Sequence, residues 1–504
     1  MIATLNREQE RACLLEPDPI AVVLAGAGAG KTRLLAAKIV EDQESVGRER
    51  QIVVTFTNAA ADELRDRVVE YGGSIEVRHF GTLHSWALRE LRGAKLQGIS
   101  QLEIIGDKRF DRIVKEEAKR MGWKGSLRDA RELACLPRRV AGIARVVGAA
   151  IMTRCCRDGV LHPDMILGLA AGRVDDFALP PGCRIYVDEF QDSGPVDEKI
   201  YRAAIEHHGA TLFLVGDVRQ SVYGFRGASP AILARIWEQT PPDCRAELVS
   251  NYRSKTEIVG LGNRIARKML LPEGSAADMN PVDNSISVRE IIHRTEFVTQ
   301  EAEAEAVADW LLHTLKAALA DGLPTRWGDV AILCRYNQQV EMIAGVLQAH
   351  RIPVQCSAWD ERDSRELISD DEIVSLANQA TRDGVDWARA CTDAGIGFEA
   401  QERLLPSLMT ARCPEDVVSI LRGELLPSRE KVYVGTIHSA KGLEWSTVWI
   451  AGADEEALPE DEESKRLAYV AATRAKRHLI ISAASSRQGF RRLLKLNVTK
   501  TIPK

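Results

Sequence analysis

The sequence predicts an α/β protein in two units, each interrupted by a mostly helical insertion. Three observations predict it. A strand, a glycine loop and a helix succeed one another between Ile20 and Val40, short β-rich apolar stretches recur through both halves of the chain, and two long segments lose the strand signal. With 504 residues the chain exceeds a single core, and a prior of roughly 150 residues per domain divides it into two to four. Lys and Arg number 67 against 72 Asp and Glu, a net charge of −5, so any nucleic-acid site has to be a local groove. No apolar run reaches the ~18 residues of a membrane span, and residues 1–10 lack the form of a signal peptide; a cytoplasmic protein with no membrane partner is expected. Ten cysteines are scattered without a C-x-x-C pair, which reads as reduced, mostly buried thiols.

The first strand, residues 20–24, is a continuous apolar run. It opens into Ala25-Gly26-Ala27-Gly28-Ala29-Gly30-Lys31-Thr32, and Leu34, Leu35, Ala36, Ile39 and Val40 then follow at helical spacing. Strand, glycine loop and helix are the context of a phosphate-binding loop, and the stretch departs from G-x-x-x-x-G-K-[ST] in having Ala25 for the first glycine. Without Cβ atoms at Gly28 and Gly30 the backbone can aim several N–H groups at a phosphate, and the helix adds the positive end of its dipole. Lys31 would reach the β- and γ-phosphates of a nucleotide, and the Thr32 hydroxyl a Mg²⁺ ion. A glycine turn before an ordinary helix is the bland alternative.

Upstream, Leu5-Asn6-Arg7-Glu8-Gln9 opens a short helix with Asn6 as its N-cap. Downstream, residues 51–56 read as a strand whose end, Thr57-Asn58, places small polar groups where open α/β sheets bind ligands. Residues 79–86 are a second such strand end; its histidines, His79 and His84, read first as polar groups at a sheet edge. Over residues 88–179 strand signals vanish. Phe110, Ile113, Val114, Ala118 and Met121, then Val140, Ile143, Val146, Val147 and Ile151, recur near a period of 3.6, which predicts helices with these faces turned inward. The basic residues there, Arg138, Arg139, Arg145 and Arg154, form either a solvated face or a binding surface.

The sheet resumes at residues 184–187 and ends in Asp188-Glu189-Phe190-Gln191-Asp192. Two adjacent carboxylates at the end of a buried strand are costly without a cation or hydrogen-bond partners. Beside a phosphate loop, Asp188 would hold Mg²⁺ and Glu189 would polarise the attacking water; surface acids at a loop start are the structural alternative. A strand at 211–215 runs into residues 216–228, where Gln220 suits a γ-phosphate sensor and Tyr223, Phe225 and Arg226 offer faces on which bases stack. Alternating aromatics suit a core equally well. After Asn251-Tyr252-Arg253-Ser254, residues 271–284 are the best domain boundary, and a second α/β unit follows with strands at 286–292, 329–334, 352–355, 431–436, 447–451 and 478–482. The expected organisation is a first unit of residues 1–87 and 181–275 with an insertion at 88–180, and a second of 276–360 and 429–504 with a shorter insertion at 361–428.

Together and in order, these residues resemble the UvrD/Rep/PcrA group of superfamily 1 DNA helicases over residues 5–476. The family's Gln motif falls on Leu5-Asn6 and Gln9, its phosphate loop on residues 25–32, and its next motif on 55–61, with Ala59 in place of a common lysine. Residues 79–85 are similar to a DNA-contact segment, with Leu83 in an often aromatic place; residues 188–192 resemble the Mg²⁺ and water-activating motif, and 216–228 the one coupling γ-phosphate to DNA. Tyr252 matches a residue that stacks on adenine and Arg253 a γ-phosphate arginine; residues 436–445 and 462–475 complete the set, with Ser464 and Lys465 departing from an acid-arginine-arginine run.

The resemblance implies two RecA-like P-loop NTPase domains with parallel sheets, each carrying a mostly helical insertion, with ATP and Mg²⁺ in the cleft between them. Single-stranded or partly duplex DNA would lie across their tops, and a DNA-stimulated ATPase moving 3′ to 5′ is implied. The catalytic set is then Lys31, Asp188, Glu189, Gln220, Arg253 and Arg474, with both arginines expected across the cleft from the loop. Nucleotide contacts fall to Gln9, Ala25, Gly26, Ala27, Gly28, Ala29, Gly30, Lys31, Thr32, Arg33, Tyr252, Gly442 and Glu444, and the metal to Thr32 and Asp188. DNA contacts fall to Thr57, Asn58, His84, Tyr223, Phe225, Arg226 and His438. The second insertion is short, and residues 477–504 are all that follow the last motif. A compact chain of this kind also resembles the helicase-like subunit of the Gabija anti-phage defence system, which acts with an OLD-like nuclease, so a nuclease partner is expected. A free-standing repair helicase and a nucleotide-gated DNA-binding scaffold are the alternatives.

Overall fold

The computed structural model describes residues 5–94, 103–135, 142–224, 227–271, 277–283, 292–320, 326–358, 387–393, 430–454, 458–459 and 461–484. Two six-stranded sheets organise them. The first contains β1 (Ile20–Ala25), β2 (Gln51–Thr55), β3 (His79–Thr82), β4 (Arg184–Val187), β5 (Thr211–Gly216) and β6 (Arg245–Leu248), in spatial order β3-β2-β4-β5-β1-β6. The second contains β7 (Ile292–Glu296), β8 (Val330–Cys334), β9 (Val354–Cys356), β10 (Val432–Thr436), β11 (Trp445–Ile450) and β12 (Ala475–Ala483), in the order β7-β12-β11-β8-β10-β9. Every pairing in both sheets is parallel.

Continuous apolar strands follow from helices covering both faces of a parallel sheet. Alternate side chains then feed two cores: Val22, Ile52, Ile185 and Leu212 enter one, while Val23, Val53, Tyr186 and Phe213 enter the other. The second sheet repeats the arrangement, with Leu333, Val448 and Leu479 on one side and Ile332, Trp449 and Ile480 on the opposite side.

The first insertion contains helices Asp107–Arg120, Leu127–Cys135 and Ile143–Arg157. Phe110, Val114, Val147 and Ile151 are buried as their spacing predicts, and they join the core on one face of the first sheet. Ile143 and Val146 depart from that expectation, at 51% and 49% exposed, because they lie off the stripe that faces the neighbouring helices. A short parallel pair, Glu103–Ile104 with Val160–Leu161, also lies in this stretch, where the sequence shows no strand signal. Helix Leu83–Gly93 runs unbroken across residue 88.

Three further points differ from the expected organisation or lie partly outside the described residues. Among the described residues β6 pairs only with β1 and alternates half-buried with buried residues, so Arg245-Ala246-Glu247-Leu248 lacks the apolar run that marks a central strand. The strand expected at 286–292 is described as Ile292–Glu296, and residues 284–291 lie outside the described residues. Helix Thr256–Ala266 packs Ile258, Leu261 and Ile265 into a core of the second sheet, although it precedes the stretch expected to separate the units. Hydrogen bonds from Ser254 Oγ to the Ala475 carbonyl (2.6 Å) and from the Lys255 N–H to the Lys476 carbonyl (3.0 Å) hold its start against β12. Of the second insertion only helix Trp387–Asp393 is among the described residues, and no described helix is long and apolar enough to cross a membrane.

Trp86 ties the insertion side of the first unit together. It is fully buried, lies parallel to Tyr201 at 6.4 Å between ring centroids and meets Phe177 edge-on at 6.2 Å. Trp86→Ala should lower unfolding free energy by about 3–5 kcal/mol, read from urea denaturation. Trp86→Phe should cost clearly less, because the indole Nε1 has no hydrogen-bond partner to lose.

Candidate active site

Because the first sheet is parallel, the segments after β1, β2, β4 and β5 gather at one edge. After β1 the chain turns through Gly28 (φ 69°) and Gly30 (φ 81°), left-handed values that favour glycine. A Cβ on Gly28 would stand 2.6 Å from Cβ of Arg253, and one on Gly30 2.6 Å from Nε2 of Gln9. Gly30 caps helix Lys31–Ser45 with no side chain, so the first-turn N–H groups face outward for a ligand. Gln9, in a capping box with Asn6, donates from Nε2 to the Ala29 carbonyl at 3.0 Å. Asn6 Nδ2 donates to the Tyr252 hydroxyl, and the Tyr252 N–H donates to the Gly28 carbonyl at 3.0 Å. The Tyr252 ring is thus hung beside the loop while 49% exposed.

Asn251 is a site residue that sequence reasoning missed. Its Nδ2 donates to the Ala27 carbonyl at 2.6 Å, and its Oδ1 accepts from the N–H groups of Arg253 (3.0 Å) and Ser254 (2.9 Å). It therefore fastens the glycine loop to residues 251–254. The available signal is an Asn followed by a turn, a common local hydrogen-bonding pattern that does not reveal a partner 224 residues away.

At the end of β4, Asp188 is 6% exposed and accepts from the Glu189 N–H at 2.9 Å; Glu189 itself has φ 52°. Lys31 Nζ lies 3.8 Å from Glu189 Oε1. Burial and the Glu189 charge push the Asp188 carboxyl up to about 7. Burial acts on Glu189 too, but Lys31, Lys441, a hydrogen bond from Gln191 and Arg474 hold it down to about 2. Glu189 is thus charged and compensated, whereas burial beside that charge disfavours the charged form of Asp188. Gln191, also missed from sequence, is buried, donates to Glu189 and accepts the Asp217 N–H at 2.9 Å.

The second sheet supplies Arg474, which is 2% exposed and donates from Nη2 to Gln220 Oε1 at 3.0 Å. Gln220 in turn donates to Asp217 Oδ2 at 2.8 Å, so its side chain is fixed at both ends. Arg474 lies across the cleft as expected, but the same expectation for Arg253 is corrected. Arg253 is anchored on the loop's own side by the Tyr252 and Asn251 contacts, and only its guanidinium reaches over, to Glu444 Oε2 (2.5 Å) and the Thr473 carbonyl (3.3 Å). Glu444, expected at the nucleotide, also pairs with Lys476 at 2.7 Å, and Gly442 forms a left-handed turn (φ 86°) nearby in sequence. Burial and the charge of Arg253 pull the Arg474 guanidinium down to about 9. Two guanidiniums facing one cleft suit a polyanion between them.

The expected nucleic-acid contacts divide. Tyr223 stacks on Phe56 at 4.9 Å and 19°, and its hydroxyl donates to the His438 carbonyl at 3.5 Å, so Tyr223 and His438 meet on one face. Thr57 caps helix Asn58–Glu70 by accepting the Ala60 N–H at 3.2 Å, and Asn58 is half-buried beside it. His84 is half-buried on helix Leu83–Gly93, whereas His79 is buried 3.3 Å from Ser85 Oγ and pushed down to about 3 by burial and Arg89, which makes it a neutral sheet-edge group. Phe225 and Arg226 lie outside the described residues.

Residues 5–137 and 183–241 match the UvrD/REP helicase N-terminal domain, and residues 246–370 and 417–486 the UvrD-like helicase C-terminal domain. The chain is 27% identical over 578 residues to the ATP-dependent DNA helicase UvrD2 of Mycobacterium tuberculosis (strain ATCC 25618 / H37Rv), covering 97% of this chain and 79% of the relative. It is 23% identical over 627 residues to the ATP-dependent DNA helicase PcrA of Staphylococcus aureus (strain NCTC 8325 / PS 47), covering 97% and 84%.

The Asp188 environment makes a pH prediction. Its folded-state value of about 7 exceeds the ordinary 3.8, so ionising it withdraws stability as pH rises through that window. Without divalent cation, Asp188→Asn should melt above the parent at about pH 8, and the gain should vanish towards about pH 4. Equal melting temperatures at the alkaline end would contradict the assignment.

Proposed function

The chain belongs to the UvrD-like ATP-dependent DNA helicases, and from that membership we propose that it is a single-strand-stimulated ATPase that moves 3′ to 5′ along DNA. The observation that carries this reading is the convergence of Lys31, Glu189 and Gln220 from the first sheet with Arg474 from the second. ATP and Mg²⁺ fit the residues. The left-handed glycine loop leaves no room for Cβ atoms, burial and the Glu189 charge raise the Asp188 carboxyl, and burial and the charge of Arg253 lower the Arg474 guanidinium, shifts that a bound cation and a bound anion would oppose. Mg²⁺, held by Thr32 and Asp188, would neutralise phosphate charge.

In this reading Lys31 and the loop N–H groups bind the phosphates, while Gln9 and the exposed Tyr252 ring flank the base. Glu189, kept ionised by Lys31 and Lys441, orients and polarises the attacking water. Gln220, its amide held in one orientation by Asp217 and Arg474, is the sensor of the terminal phosphate in this reading. Arg253 and Arg474 counter charge on the transferring phosphoryl group. Support for a DNA path comes from the Phe56–Tyr223 stack and His438, with Thr57, Asn58, His84, Phe225 and Arg226 as its further members. A narrower reading places the protein in the cytoplasm beside a nuclease in anti-phage defence. Its support is the resemblance of a compact chain to the Gabija helicase-like subunit. Affinity capture from the native host distinguishes this from a free-standing repair helicase, which would be recovered without a nuclease.

Lys31→Ala should abolish hydrolysis and weaken nucleotide binding, whereas Glu189→Gln should keep nucleotide bound and stop turnover. Arg474→Ala should slow hydrolysis by about 10³ or more. Phosphate release with and without single-stranded DNA, together with binding of a fluorescent ATP analogue, checks all three; parental turnover in any of them removes that residue from the mechanism.

A further inference from the structure

Lys441 stands out among the contacts between the two sheets. It belongs to the turn after β10, and its side chain is 7% exposed. The ammonium donates to Asp192 Oδ2, whose side chain is fully buried, and to the Gln220 carbonyl at 2.7 Å. It also lies 5.0 Å from the centre of the Tyr223 ring, which stacks on Phe56.

These contacts reach three segments of the first unit. Asp192 ends the turn Phe190–Asp192, whose Gln191 donates to Glu189, so the ion pair bears on the water-orienting carboxylate through one short piece of backbone. Gln220 is gripped twice from the second sheet, on its side chain by Arg474 and on its backbone by Lys441. Tyr223 follows three residues later on the nucleic-acid face. A buried ion pair contributes little net stability over an apolar pair of the same volume, so stability alone gives no reason for a charge here. Between units that separate, however, a charged contact can part into water without exposing apolar surface, and it re-forms only in the right register.

Resting on the function proposed above, we propose that Lys441 is a positioning residue that couples DNA on the Phe56–Tyr223 face to the hydrolytic turn, by locking Asp192, the Gln220 backbone and the Tyr223 ring into one unit when the cleft closes. It acts through Glu189 and Gln220. Loss of the cation leaves the ATP-binding residues in place and breaks the connection between the DNA face and hydrolysis.

The test uses the full chain and an oligothymidylate. Phosphate release is measured with and without the oligonucleotide for the parent, Lys441→Met, Lys441→Arg, Asp192→Asn and the Lys441→Met/Asp192→Asn double variant, with thermal melting as the control for folding. In Lys441→Met the stimulated kcat should fall about tenfold or more beyond any fall in the DNA-free rate, while KM for ATP changes little. Asp192→Asn should show the same loss, the double variant should add little to either, and Lys441→Arg should recover stimulation. If Lys441→Met does not fold, Asp192→Asn, which preserves volume, carries the same expectation. Parent-like stimulation in a folded variant, or equal loss of both rates, overturns the inference while the ATPase reading stands. A parent that is not stimulated by the oligonucleotide overturns the proposed function itself.

Discussion

Placing buried Asp188 beside half-buried Glu189 at the end of β4 imposes the condition to which the rest of the cleft responds. Like charges in a low-dielectric setting cannot both ionise without cations close by, and the chain delivers those cations from separate places. Lys31 comes from the glycine loop, and Lys441 and Arg474 come from the second sheet. The second sheet's cations thus compensate a charge that belongs to the first. Separating the two units would strip Glu189 of part of its compensation, so the state of the carboxylate and the closure of the cleft are linked by electrostatics.

Compensation of this kind works only if the groups are held still, and the holding is done by polar side chains with no charge. Gln9 grips Ala29, Asn251 grips Ala27, and Gln191 grips both Glu189 and the Asp217 N–H. Each amide donates and accepts in fixed directions, so each sets an orientation that an ion pair would leave loose. The Phe56–Tyr223 pair is positioned in the same way, with the Tyr223 hydroxyl directed at the His438 carbonyl.

Legibility followed the range of the interactions. The glycine loop and the strand leading to Asp188 could be read because local pattern and local chemistry coincide there, and β1, β4 and β5 begin at the residues expected, 20, 184 and 211. The edge strand β6 could not, since half of its side chains are only partly buried and carry no apolar signature. Asn251, Gln191 and Lys441 escaped notice for a different reason: their partners lie 224, 26 and 249 residues away, and an amide or an ammonium looks alike whether it faces solvent or a distant carbonyl. The motif places Arg253 at this cleft but errs on the side, because a motif specifies which groups converge but not which backbone carries them.

That error points to how the two units are joined. Tyr252 and Arg253 sit between β6, the edge of the first sheet, and helix Thr256–Ala266, which packs in a core of the second. Behind Arg253, Asn251 is bonded to the glycine loop; ahead of it, Ser254 and Lys255 are bonded to the backbone that leads into and begins β12. This passage between the units is therefore only a few residues long and lines the cleft, and the chain returns beside it, where Asn280–Pro281 pairs in parallel with Ser250–Asn251. A change in the angle between the sheets would draw on backbone torsions in or beside this segment, since the hydrogen bonds on either side hold it to one unit or the other. A group bound against Tyr252 and Arg253 would consequently rest on the hinge itself. Occupancy of the cleft and the relative orientation of the units then become one mechanical variable, with no long lever between them.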